Sequence, residues 1–167
     1  MARRERRVVT PACLALDALG IAYELHPYTH DPAASSYGDE AAEALGVDPD
    51  QVFKTLMAEL DTGELVVAIL PVTTTLDLKR LAGALGTKKA AMANVSKAER
   101  SSGYVAGGIS PFGQRTQRRT AVDEWATANN TIYISGGRRG LDLSIAPTDL
   151  ISALEAVVAP ISSTARG

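Results

Sequence analysis

The sequence predicts a single α+β domain, and three observations predict it. Leu65-Val66-Val67-Ala68-Ile69-Leu70 is apolar on both faces, as a strand in the middle of a sheet must be. Thr131 to Ser135 and Leu141 to Ile145 alternate on either side of Gly136-Gly137-Arg138-Arg139-Gly140, a glycine-rich hairpin. Stretches of helical period with glycine stops lie between such runs, above all Thr75 to Gly86. No repeat, linker or second domain interrupts them.

The bulk properties set limits. A chain of 167 residues with 46% hydrophobic residues can bury a core as one domain. Aromatic residues make up only 5%, so that core must be built mainly from Ala, Val, Leu and Ile. A net charge of −2 argues against coating nucleic acid by bulk electrostatics, and DNA is not an expected partner. It leaves room for a local basic patch gripping one RNA end. Cys13 is the only cysteine, which excludes an internal disulfide and a thiolate metal cluster. No apolar run approaches the roughly 20 residues of a membrane span. Ala2 to Arg7 is basic, but Val8-Val9 is no signal-peptide core, so a cytoplasmic protein is expected.

Residues 1–9 read as a disordered basic tail, 10–160 as the domain and 161–167 as a flexible tail. Thr10-Pro11 supplies a helix cap and a proline at the first helical position. Leu14, Leu16 and Leu19 form the inner face of the helix, and Gly20 closes it. Cys13 packs there as a small apolar side chain. Ile21 to Tyr28 alternates like a strand. It ends in His26-Pro27-Tyr28-Thr29-His30-Asp31-Pro32, whose histidines and aspartate invite a metal reading but match no common zinc spacing. Gly38 to Leu45 is a short helix with Asp39-Glu40 in its first turn. Val52 to Met57 resumes a strand that Asp61 to Glu64 turns into the 65–70 run. Alternation puts Lys54 on the face opposite Phe53, where solvation is the default fate.

The helix from Thr75 takes a threonine cap, Ala90 to Met92 forms a short strand, and Val95 to Ser102 a further helix. Gln114-Arg115-Thr116-Gln117-Arg118-Arg119 is either a solvated loop or an RNA-facing patch. Thr120 to Asp123 is a strand. Thr148-Asp149 caps a last helix running through Leu150, Ile151, Leu154, Ala156 and Val157.

Gly103-Tyr104-Val105-Ala106-Gly107-Gly108-Ile109-Ser110-Pro111-Phe112-Gly113 stands apart, with apolar residues in place of the usual polar loop filler. Pro111 fixes its own φ and pushes Ser110 toward an extended conformation, so the loop is shaped. Bare backbone N–H groups on a stiff loop suit a developing anion or a phosphate. A buried turn between strands is the alternative on composition alone.

The ordered motifs resemble the YbaK/EbsC family, bacterial aminoacyl-tRNA deacylases related to the editing domain inserted in prolyl-tRNA synthetases. They are His26-x-Tyr28-x-His30-Asp31-Pro32, Gly38-Asp39-Glu40, Val52-Phe53-Lys54-Thr55-Leu56, Leu76-Asp77-Leu78-Lys79, Ser102 to Pro111, and Ser135 to Asp142. The resemblance runs from Thr10-Pro11-Ala12 to the final helix, nearest the stand-alone branch that removes cysteine from proline tRNA. It implies a curved mixed sheet closing toward a barrel, surrounded by helices, and a pocket holding Tyr28, Lys54, Gly107, Gly108, Ser135 and Asp142. Lys54, Gly107, Gly108 and Asp142 are expected to act in catalysis, and Tyr28, Thr55, Ser110, Pro111 and Ser135 to bind substrate. No cofactor or metal is expected. The partners implied are the aminoacylated 3′ end of tRNA and prolyl-tRNA synthetase.

The chemistry implied is cleavage of the ester joining an amino acid to the terminal ribose. Backbone N–H groups at Gly107-Gly108 would stabilise the developing oxyanion, a contribution on the order of 3 kcal/mol per donor. Lys54 would hold the nucleotide or carbonyl as a point charge oriented by Asp142, and Tyr28 would stack on the terminal adenine or wall the pocket. Ser110 has no assigned base and reads as a pocket wall. The resemblance implies that the substrate's own thiol attacks, with lyase-type release as a variant. Deacylation of another small residue such as alanine, or mere capture of charged tRNA, are the competing expectations.

Overall fold

The computed structural model describes residues 9–31 and 37–164. The basic run ahead of Val9 and the last three residues lie outside them. Helix α1, Pro11–Leu19, starts as expected: the Thr10 hydroxyl accepts from the Cys13 N–H, and Gly20 ends it in the left-handed region. Its inner face is Ala12, Cys13 and Leu16; Leu14 and Leu19 are exposed, against the expectation. Full burial of Leu16 contributes about 1.5–3 kcal/mol.

Strand β1 is Glu24–Pro27 and helix α2 Tyr37–Leu45. Strands β2, Phe53–Leu60, and β3, Leu65–Pro71, form an antiparallel hairpin. β3 is buried from Val66 to Pro71, as its two-faced apolar pattern requires. Strand β4, Thr74–Leu76, occupies the ground assigned to the start of the next helix. That helix, α3, Leu78–Ala84, is capped by Asp77, whose carboxylate accepts from Arg80 N–H, and not by Thr75. β5 is Ala90–Met92, α4 Val95–Ser102 and β6 Thr120–Asp123. β7, Ile132–Arg138, and β8, Leu141–Ile145, make the glycine hairpin, with a bulge between Ser135 and Arg138. Helix α5, Pro147–Leu154, starts after Ala146 without a side-chain cap, so Thr148-Asp149 fall inside it. It stops at Glu155, φ +50°, and Val157–Ala159 is strand β9, not helix. β10 is Ser162–Thr164.

The fold is α+β with mixed pairing, as expected, and its strands form three ladders among the described residues. The largest runs β5-β2-β3-β6-β9, antiparallel up to β3 and parallel from β3 through β6 to β9. A second runs β1-β8-β7, and β10 pairs with β4. One parallel bridge, Val52 to Tyr133, ties the first two together. The main core lies between them, with Phe53, Met57, Ile69 and Val122 from one sheet and Ile132, Ile134, Leu143 and Ile145 from the other.

The segment from Ile161 was expected to be loose, and the structure corrects this as far as Thr164. Ile161 is fully buried, and Asp123 docks the backbone of Ile161 and Ser162. One oxygen of its buried carboxylate accepts from the N–H groups of Ile161 and Ser162, both at 3.0 Å, and the other from Trp125 N–H at 3.1 Å. Asp123→Ala is expected to destabilise the fold by about 2–4 kcal/mol, since three backbone donors lose their acceptor. Asp149→Ala, at an exposed site in α5, should change it by less than about 0.5 kcal/mol. Urea unfolding of the two variants checks the contrast.

Candidate active site

The cleft arises where β2 lacks a neighbour. β5 covers β2 only at Ala58, Glu59 and Leu60, and Ala93 N–H adds one bond to the Met57 carbonyl. Ahead of that point the same edge pairs with no strand from Phe53 to Leu56, among the described residues. A cleft of about 390 Å³ opens along it. Because an edge shows both faces of a strand, consecutive residues Phe53, Lys54, Thr55, Leu56 and Met57 all line it. Tyr28 with Ser135 of β7 and Asp142 of β8 lines it from the second sheet, and residues of α4 and of the loop at Ala106, Gly107 and Ile109 complete the wall.

Six of the nine expected site residues meet here: Tyr28, Lys54, Thr55, Gly107, Ser135 and Asp142. Gly108, Ser110 and Pro111 are not on the wall. Gly108 N–H is spent on the Val105 carbonyl at 2.9 Å, which closes a turn and removes it as an oxyanion donor. A Cβ on Gly108 would stand 2.8–2.9 Å from Arg138 Cα, Arg138 carbonyl carbon and Arg139 N, so the residue is glycine because the hairpin backbone packs on it. Ser110 is fully buried; its hydroxyl accepts from Phe112 N–H and its carbonyl from the Gln114 amide. Pro111 is buried in the same brace. Gly107 differs. Its φ of +84° suits glycine, and its N–H has no protein partner among the described residues.

Lys54 is half-buried, not fully solvated. Its ammonium donates to the Thr74 carbonyl at 2.6 Å, and burial holds its pKa below the usual lysine value, against a smaller opposing effect of Asp39. Asp142 does not orient it: the two groups form no ion pair. Asp142 lies in β8 between His26 of β1 and Ser135 of β7. Burial raises its carboxyl to about 7. Tyr28, fastened by its N–H to the Gly140 carbonyl at 2.9 Å, is pushed up to about 12, first by burial and then by the charges of Asp142 and Glu40. It remains a phenol donor. Ser135 accepts from Gly137 N–H within the bulge, which leaves its own O–H to donate. The Thr55 hydroxyl is buried without a hydrogen-bond partner among the described residues.

Other expectations are also decided. The histidines part company: His26 bonds Ser144 at 2.8 Å, whereas His30 bonds Glu40 at 2.8 Å. Cys13 is buried beneath Thr10 and does not line the cleft. In the arginine run, Arg118 donates to Ser101 and Arg119 is bidentate on Glu64 and also donates to the Leu85 carbonyl, while Arg115 and Arg119 stay exposed. Sequence reasoning missed the apolar floor and rim. Ala98 and Ile109 lie within, and Met92 and Val95 stand 49% and 60% exposed at the mouth. Helical period marks Ala98 as inward-facing, but nothing local marks the others.

A carboxyl whose folded pKa exceeds its unfolded value holds its proton more tightly in the native state. Its burial is therefore least costly below about pH 4, and the penalty grows until the pH passes about 7. Asp142→Asn is expected to be more stable than the parent by a few kcal/mol at about pH 8 and to lose that advantage near pH 4. Unfolding titrations at both pH values test this; an equal difference at both would refute the raised pKa.

Known proteins bear on these features directly. The aminoacyl-tRNA editing domain family matches residues 30–153. A protein of Enterococcus faecalis named as a candidate Cys-tRNA(Pro)/Cys-tRNA(Cys) deacylase, EbsC, is 31% identical over 163 residues, covering 98% of this chain and 99% of its own. A crystallised candidate trans-editing enzyme for prolyl-tRNA synthetase superposes with a TM-score of 0.81 at 22% identity, covering 92% of this chain and 95% of its own. A crystallised hypothetical protein gives 0.82 at 24% identity, covering 92% and 100%. Fold, motif order and family match agree, and the chain belongs to the YbaK/EbsC family of aminoacyl-tRNA editing domains, whose members deacylate aminoacyl-tRNA.

Proposed function

We propose that this chain hydrolyses the ester of cysteine mischarged onto proline tRNA. The observation that carries the reading is the content of one narrow cleft: Lys54, the buried Asp142 carboxyl, the partnerless Thr55 hydroxyl and the open Gly107 N–H, over an apolar floor of Phe53, Met57 and Ala98. A small amino acid fits the floor. Asp142, which has no cation of its own, receives the substrate's α-ammonium group, and that charge lowers the carboxyl pKa in the complex. Thr55 gains in the substrate the partner the protein lacks. Gly107 N–H takes the ester oxygen as negative charge develops, and Lys54 holds the terminal nucleotide or adds its charge to that oxygen. Tyr28 and Ser135 donate at the wall, while Met92 and Val95 give the adenine ring an apolar seat. Gly108, Ser110 and Pro111 act by shaping the loop.

The one serine of the cleft among the described residues, Ser135, accepts from Gly137 N–H and is paired with no base. As the family resemblance implies, the nucleophile in this reading is the substrate's own thiol. Its sulfur bonds to the carbonyl carbon, the carbon–ribose oxygen bond breaks, and the ribose oxygen takes the thiol proton. Water then opens the cyclic thioester, so the net reaction is hydrolysis to free cysteine and tRNA. With Arg118 hydrogen-bonded to Ser101, Arg119 paired with Glu64 and a net charge of −2, bulk electrostatics give the tRNA body little attraction. Selection of tRNA therefore falls to a partner, prolyl-tRNA synthetase, in the cytoplasm.

Lys54→Ala is expected to lower turnover of Cys-tRNA(Pro) by at least about 100-fold with the fold retained. Unchanged turnover would remove Lys54 from the site. A parent protein that binds charged tRNA without turnover would make it a capture module. Ala-tRNA(Pro), which carries no thiol, separates the substrates: hydrolysis near the uncatalysed rate is expected, and hydrolysis as fast as that of the cysteine ester or faster would make this an alanine-editing enzyme and refute the substrate-thiol route.

A further inference from the structure

The loop that carries Gly107 is held by two charged side chains from different elements. Glu99 of α4 accepts the Ala106 N–H at 2.8 Å, and Arg139, from the β7–β8 turn, donates its Nε–H to the Ala106 carbonyl at 2.8 Å. Arg139 thus binds the Ala106–Gly107 peptide directly, while Glu99 binds the peptide before it and fixes Ala106 from the other side; charge-assisted bonds of this length are about twice as strong as neutral ones. The Ala106–Gly107 peptide is trans, so its C=O and N–H point in opposite directions. An Ala106 carbonyl drawn toward Arg139 sends the Gly107 N–H to the other side. The Gly108 N–H bond to Val105 closes the turn whichever way its central Ala106–Gly107 peptide faces, so it does not choose the orientation by itself.

The geometry points to Glu99 and Arg139 as positioning residues that fix the Ala106–Gly107 peptide with its N–H turned into the cleft. The inference rests on the deacylase reading for its kinetic consequence, but the geometry stands apart from it. Neither residue lines the cleft, so neither touches substrate. Without the clamp the peptide can rotate, and the donor must be reorganised in each transition state.

The test compares Glu99→Ala, Glu99→Gln, Arg139→Met and Arg139→Lys with the parent chain on Cys-tRNA(Pro). Glu99→Ala and Arg139→Met are expected to lower kcat about 10- to 100-fold, with KM within about two-fold and a melting temperature within a few degrees. Glu99→Gln, which keeps an acceptor, should recover most of the rate, and Arg139→Lys, which keeps a cationic donor, part of it. Losses confined to KM or to melting temperature, or a glutamine as damaging as alanine, would overturn the clamp. If Arg139→Met fails to fold, the Glu99 pair decides by the same criteria. The ¹⁵N–¹H resonance of Gly107 supplies a readout without turnover, displaced in Glu99→Ala and near its parent position in Glu99→Gln. If the parent protein shows no deacylation, the functional reading fails alone, and an unmoved Gly107 resonance in Glu99→Ala then refutes the clamp separately.

Discussion

An unpaired stretch of sheet edge is the constraint on which the rest of this molecule depends. From Phe53 to Leu56, β2 has β3 on one side and no strand on the other, among the described residues, because β5 covers only Ala58, Glu59 and Leu60. Bare strand edges recruit other chains unless they are covered. Here the second sheet, α4 and the glycine loop arch over the edge without pairing to it, and the space beneath is the cleft. The Val52–Tyr133 bridge fixes one end and the Ala93–Met57 bond the other.

The electrostatics of the cleft arise from that arrangement. Lys54 and Asp142 come from different sheets, each loses water on burial, and they do not compensate each other by pairing. Each is instead shifted toward its neutral form. A cleft that leaves an acid and a hydroxyl unmatched among the described residues, beside a lysine held by the Thr74 carbonyl, suits a ligand carrying their complements. An aminoacyl ester has an ammonium group, a carbonyl and a nearby polyanionic nucleotide. Under the proposed reading, substrate binding offsets the cost of burying the two groups.

The glycine loop and the β7–β8 hairpin determine each other's position. Gly108 permits the hairpin backbone to approach, and the approach brings Arg139 to the Ala106 carbonyl. Tyr104 closes the loop from below by donating to the Phe112 carbonyl at 2.6 Å. Two glycine-rich segments far apart in sequence therefore pack as one piece, and Gly107 is where that piece meets the cleft.

The sequence by itself determined the local elements with local causes: the Thr10 cap and Gly20 stop of α1, the two-faced apolar run of β3, the span of α4 and the glycine hairpin. It also carried the family, since six ordered motifs specify the chain together. Where caps compete, it failed. Thr75 yielded to Asp77 because β10 draws Thr74–Leu76 into a ladder, and Val157 left the helical pattern to pair with β6. Only the tertiary structure decided the site's wiring. Burial and pairing depend on residues remote in the chain: whether Lys54 met solvent, Asp142 or Thr74, whether Gly107 or Gly108 kept its N–H, and where the arginines went. No window of sequence contains both members of those contacts.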